Sequence, residues 1–242
     1  MKYGLQMYSV RDFTAKDMDY ALREVAAMGY DFVEFAGFAG HSADSIKAML
    51  DRYNIYVTST HTGWGEIYNN TEATLEYHRT IGNRNLVIPG HDLGTAAKID
   101  TFVNQVNELQ PKLEDAGFNL HYHNHSHEFL PNADGLIIHT ELERRTRINF
   151  QIDTYWAFAA KVDPVAILER LDNRIDRIHL KDGDGGHVGY SLGSGVAPVA
   201  AVRRKAIELG KIMIVESESL TPDGLSEAKR CIDYLRKLDA AE

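Results

Sequence analysis

The sequence predicts an α/β fold, a single (β/α)8 barrel over residues 1–242, and three observations carry that expectation. Short apolar runs alternate with longer amphipathic segments eight times along the 242 residues, the pattern of parallel strands joined by crossover helices. No composition break or Pro/Ser-rich linker divides the chain. The metal-capable and charged groups collect at the C-terminal ends of the predicted strands, the end of a barrel that carries chemistry. A doubly wound open sheet is the competing arrangement. Against it, the first strand–helix turn has no Gly-x-Gly-x-x-Gly, and the chain has no phosphate-binding loop signature. A closed barrel also leaves no open edge.

The elements follow in order. Strands are expected over 3–8, 32–36, 55–60, 85–89, 118–123, 148–153, 177–181 and 212–217, where β-branched, aromatic and other apolar residues run together. The first helix starts at Asp17 and stops at Gly29. Ser42 caps the second, whose apolar face is Ile46, Met49 and Leu50. Further helices are expected near 71–82, 95–116, 133–145, 163–171, 198–209 and 222–238. The Gly-rich stretch 183–195 after the seventh strand is long for a compact barrel, which suggests a lid or a ligand-binding segment; a mobile surface loop is the plainer alternative.

Composition narrows the partners. The chain is 44% hydrophobic with a formal net charge of −9, and its basic residues are scattered. That leaves no electrostatic footprint for nucleic acid. Cys231 is the single cysteine, so neither an intramolecular disulfide nor a cysteine zinc site can form. No apolar run approaches the ~18 residues of a membrane span, and the start carries no signal-peptide core. A soluble cytoplasmic protein with a small-molecule substrate is expected, with self-association left open.

The chemistry concentrates in Tyr122-His123-Asn124-His125-Ser126-His127-Glu128-Phe129 and at three later strand ends, Asp153, His179 and Glu216. Carboxylates and imidazoles at successive strand ends suit one divalent cation bound through mixed N/O ligands. A carboxylate after the apolar run 212–215 is costly to bury unpaired, which favours a cation partner for Glu216 over a structural ion pair. Asp153 could instead cap the next turn. Glu128 is expected to complete the ligand set, with His123 as the alternative. His179 and Lys181 share a strand face by period two, as do His123 and His125. Glu34 and His61 end strands two and three and are candidates for substrate contact. His91 is a weaker one. Trp64 and Trp156 could wall a sugar ring or be ordinary core aromatics.

Taken together, these segments resemble the xylose-isomerase-like TIM-barrel superfamily, the sugar phosphate isomerase/epimerase group. The matching pieces run nearly the whole chain in order: Gly4-Leu5-Gln6-Met7-Tyr8-Ser9-Val10-Arg11-Asp12, Gly29-Tyr30-Asp31-Phe32-Val33-Glu34, His123 to Phe129, Asp153-Thr154-Tyr155-Trp156, His179-Leu180-Lys181-Asp182, Leu192-Gly193-Ser194-Gly195 and Ile214-Val215-Glu216. The resemblance implies one divalent metal, manganese above magnesium, cobalt or zinc, held by Glu128, Asp153, His179 and Glu216. It implies a keto-sugar substrate, proton abstraction alpha to the carbonyl by a carboxylate (Glu128 or Glu216) and a metal-stabilised enediolate, with His123 beside the reacting atoms. Glu34, His61, His125, Trp156 and Lys181 would contact substrate. Isomerisation or epimerisation is the expected outcome; elimination or hydrolysis of a 3-keto-glycoside or an inositol-derived ketone is the alternative. An endonuclease of the same superfamily would need a basic face, which the net charge opposes. A barrel that only binds sugar would not need four metal-capable strand ends. Two departures stand out. Where ketose 3-epimerases of the family carry a substrate-binding histidine three residues after the strand-six aspartate, this chain has Trp156. Their strand-five glutamate lies within the strand, nearer His123 here.

Overall fold

A computed structural model describes residues 1–241; of the expected span, Glu242 lies outside them. Eight parallel strands close into a barrel: β1 (Gly4–Gln6), β2 (Phe32–Ala36), β3 (Tyr56–His61), β4 (Asn85–Ile88), β5 (Asn119–His123), β6 (Asn149–Asp153), β7 (Ile175–Leu180) and β10 (Ile212–Val215). Neighbours pair in chain order, and β10 returns to β1, so no edge is left unpaired. The remaining strands, β8 (Asp182–Gly183) and β9 (Gly189–Tyr190), form a small antiparallel hairpin above the mouth. Among the described residues, no helix is long and apolar enough to cross a membrane.

The expected strands are all present, and their ends differ for local reasons. The first is cut to Gly4–Gln6 because the Gln6 side chain accepts the Tyr8 N–H and turns the chain into a 3-10 helix, Met7–Val10. Gly4 is needed there: a Cβ would land in the Phe32 ring. Besides the single turn Arg11–Thr14, two helices were not legible as separate elements, Trp64–Asn69 and Thr154–Ala159. The second starts where the Asp153 carboxylate caps the N–H groups of Tyr155 and Trp156.

Alternation along the strands fills the barrel interior with polar groups. Arg177, His179 and Lys181 point inward at period two and are all buried. Toward the N-terminal end, Arg177 donates to the Thr58 carbonyl (2.8 Å) and forks onto Asp176, which also meets His121 Nε2 at 2.9 Å. Higher up lie Gln6, Glu34, Ser59 and Gln151, and above them the mouth. The apolar core lies largely between this column and the surrounding helices.

The Gly-rich stretch is an organised loop rather than a loose one. Asp182 accepts the backbone N–H groups of Gly183, Gly193, Gly195 and Ala197 at 2.9–3.0 Å. Tyr155 Oη donates to the Gly186 carbonyl at 3.0 Å. Gly195 has no room for a side chain, since a Cβ would overlap Asp182 Oδ1 and the Gly183 backbone. Gly195→Ala should therefore destabilise the protein by about 1–3 kcal/mol and expose the stretch 184–196 to proteolysis. An unchanged melting temperature together with an unchanged digestion pattern would show that the carboxylate hub does not hold the loop.

Candidate metal centre

Four side chains meet where β5, β6, β7 and β10 end. One donor atom from each of His123, Asp153, His179 and Glu216 lies within 4.8 Å of the others, and all four residues are buried. Asp153 divides its work: Oδ1 caps the following helix, while Oδ2 faces the cluster, 3.7 Å from His123 Nε2 and 3.9 Å from His179 Nδ1. Glu216 Oε2 is 3.2 Å from His179 Nδ1.

His179 is held from below. Its Nε2 meets Glu34 Oε1 at 2.6 Å, so Nδ1 is the nitrogen turned to the cluster. Glu34 in turn accepts from Gln6, Ser59 and Gln151. Burial pushes the Glu34 carboxyl up, but His61, His179 and the Ser59 hydroxyl outweigh it and keep the group below the usual carboxylate range. Burial also pulls His179 down; Glu216 and Glu34 more than reverse this and hold it up at about 10. Burial raises the Asp153 carboxyl. His123 is driven well below the ordinary imidazole value, first by burial and then by His179 and His61. A neutral ring keeps one unprotonated nitrogen, which is the ligating form.

These groups fit a divalent cation. Both His123 ring nitrogens and Asp153 Oδ2 are buried with no hydrogen-bond partner among the described residues, a costly state that a bound ion would relieve. The donor set is two imidazoles and two carboxylates, and His179 has the carboxylate behind it that metal-bound histidines commonly carry.

Glu128 is not part of this group. It sits in the 3-10 turn His127–Phe129, fully buried, with Oε1 accepting from Tyr122 Oη (3.2 Å) and Oε2 from the His125 N–H (2.8 Å). The chain leaves β5 at His123 and closes the turn by hydrogen-bonding Glu128 back onto it. The side chain is thereby tied to the turn instead of reaching the mouth, and His123 occupies the place expected for it.

A cavity of about 380 Å³ opens above the cluster, lined by Tyr8, Ala36, His61, Pro89, His123, His125, Glu216 and Glu218. His61 Nε2 is fixed by Gln151 Oε1 at 2.8 Å. Lys181 is buried beside the cluster, with Nζ 3.4 Å from Glu216, 2.7 Å from Glu218 and 4.6 Å from the Trp156 ring centre. Burial lowers the Lys181 ammonium, but Glu216, Asp153 and Glu218 raise it overall, to about 12, so it stays charged. The structure thus places His61 and His125 on the cavity wall and Lys181 and Trp156 beside the cluster; Glu34 lies beneath it. His91 instead packs on Phe102, and Trp64 donates to Gln105 within the helical layer, an ordinary core aromatic. Tyr8 and Glu218 are cavity residues that the sequence reading passed over. Glu218 was findable, because it lies two residues beyond Glu216.

The chain matches the pattern described as xylose isomerase-like TIM barrel over residues 22–238. An inosose dehydratase of Geobacillus kaustophilus is 23% identical over 193 residues, which span 68% of this chain and 61% of that protein. This chain therefore aligns with less than two thirds of that relative. Two solved structures from Parabacteroides distasonis, each described as a sugar phosphate isomerase/epimerase, superpose on it. One has a TM-score of 0.79 at 25% identity, covering 97% of this chain and 93% of the other. The second has a TM-score of 0.85 at 23% identity, covering 98% of both chains.

Proposed function

Since this chain belongs to the xylose isomerase-like TIM-barrel family, we propose that it is a metal-dependent enzyme of keto-sugar chemistry, acting at the carbon alpha to a carbonyl. The observation that carries this reading is the convergence of His123, Asp153, His179 and Glu216 beneath a cavity of about 380 Å³. Those four residues would hold one divalent cation, and the bound ion would supply Lewis-acid polarisation of a substrate carbonyl and its neighbouring hydroxyl. With two imidazoles in place of one, the donor set moves toward borderline cations, so zinc and cobalt compete with manganese more closely than three carboxylates would allow.

The other cavity groups take complementary roles in this reading. Glu218 is the lining carboxylate outside the cluster, and it accepts the alpha proton. Its Oε1 lies 2.7 Å from Lys181 Nζ, so the ammonium stabilises the carboxylate and stands ready to return a proton. His61, fixed by Gln151, and His125 bind substrate hydroxyls. Trp156 backs Lys181 and gives that side of the site an apolar surface. Isomerisation or epimerisation follows when the proton returns to carbon. The similarity to an inosose dehydratase favours a second outcome, loss of a β-hydroxyl, in which the Lys181 ammonium protonates the departing oxygen.

Both outcomes pass through the same first step. Incubation of the metal-loaded enzyme in deuterated water with ketoses, ketose phosphates, inososes and 3-keto-glycosides should wash deuterium into one carbon alpha to the carbonyl, read by proton NMR. Efficient turnover of one of these substrates without deuterium uptake, in product and recovered substrate alike, would favour hydride transfer or direct hydrolysis and reject this chemistry.

A further inference from the structure

We propose that His125, His127 and Glu128 form a second cation site, separate from the four-residue cluster, for a borderline transition metal such as Zn²⁺. One donor atom from each of the three lies within 4.8 Å of the others, close enough for small rotations to bring them onto one ion. Two further features point to a missing ligand. His125 Nδ1 is buried with no hydrogen-bond partner among the described residues. Glu128 is a fully buried carboxylate whose ion-pair partner is the His127 imidazole at 3.2 Å, rather than a lysine or arginine. The Tyr122 hydroxyl and the His125 N–H donate to Glu128, but neither carries a charge, and a divalent ion between Glu128 and the imidazoles would balance the buried carboxylate.

The donor set is N₂O from one short segment, His125 to Glu128, that runs into the 3-10 turn His127–Phe129. It leaves a fourth tetrahedral position for water, as in open zinc sites. The His127 side chain is 61% exposed, which gives an ion direct entry from solvent. Three ligands against four, one of them on a largely exposed side chain, make this the weaker of the two sites. His125 belongs to both surroundings: it lines the main cavity, and its ring lies edge-on to His123 with centroids 5.0 Å apart. An ion held by His125 and His127 would fix one wall of the cavity from outside.

The test counts metal. Chelator-stripped protein is dialysed against graded Zn²⁺, and bound zinc is measured by elemental analysis, with circular dichroism confirming the fold. The parent should take up two equivalents, the second at least tenfold more weakly. His127→Ala, a change at an exposed side chain, should bind one equivalent tightly. Glu216→Gln should retain the weak equivalent that His127→Ala loses. Equal zinc uptake by the parent and His127→Ala would overturn the proposal, as would a Glu216→Gln protein that binds none. Loss of only the tight equivalent in Glu216→Gln would leave the main centre's assignment standing on its own, so the two sites are judged separately.

Discussion

Glu216→Gln should strip the main centre of its tightly held metal and lower turnover by roughly 1,000-fold, about 4 kcal/mol of lost transition-state stabilisation. The residue directly follows β10, an entirely apolar strand, and its Oε2 lies 3.2 Å from His179 Nδ1 and 3.4 Å from Lys181 Nζ. Burial pushes its carboxyl up, yet Lys181 and His179 hold it well below the usual carboxylate range. The amide keeps the shape and removes the charge. Lys181 would still have Glu218 at 2.7 Å, so the fold should survive and the loss should appear in metal content. The check is elemental analysis of the purified variant beside a turnover assay. A variant that keeps one tight equivalent and parental activity would place the metal elsewhere.

Glu34→Gln should weaken metal binding by about 10–100-fold although Glu34 is not in the cluster, and should cost about 1–3 kcal/mol of stability. All four directions around the carboxylate are filled by donors: Gln6 and His179 on Oε1, Ser59 and Gln151 on Oε2. Replacing one oxygen with an NH₂ sets donor against donor in a buried place. It also releases His179 Nε2, and with it the orientation of Nδ1. Zinc or manganese titration and a denaturant melt read the two effects separately. Parental affinity in a destabilised variant would make Glu34 a structural group only.

The barrel was legible because its signal is repeated: eight apolar runs, each followed by an amphipathic helix, leave little room for another closure. Asp153, His179 and Glu216 were legible as candidates for the same reason, since each ends a run and strand ends converge in a barrel. The fourth member was not. The sequence offers His123 and Glu128 within six residues, and the choice depends on where β5 gives way to the turn. That boundary is set by the Glu128 carboxylate accepting the His125 N–H, a contact that alternation cannot predict. The departure at strand five left Glu128 to reach in from beyond the strand, which its bond to the His125 N–H prevents. Glu34 is a candidate for substrate contact in the sequence because it nearly ends β2, yet it lies beneath His179, where register between distant strands decides what meets. The Gly-rich stretch was expected as a lid or a mobile loop; the side chain that organises it, Asp182, lies just before it and looked like one more strand-end polar group.

Asp182 and Lys181 share a peptide unit, and that adjacency makes the seventh strand's end a lever. One side chain reaches into the mouth, against Glu216, Glu218 and Trp156. The next faces the opposite way and ties down four loop amides. A loop displacement that keeps those bonds must move Asp182, the residue joined through one rigid peptide plane to the one whose ammonium stands among the mouth's carboxylates.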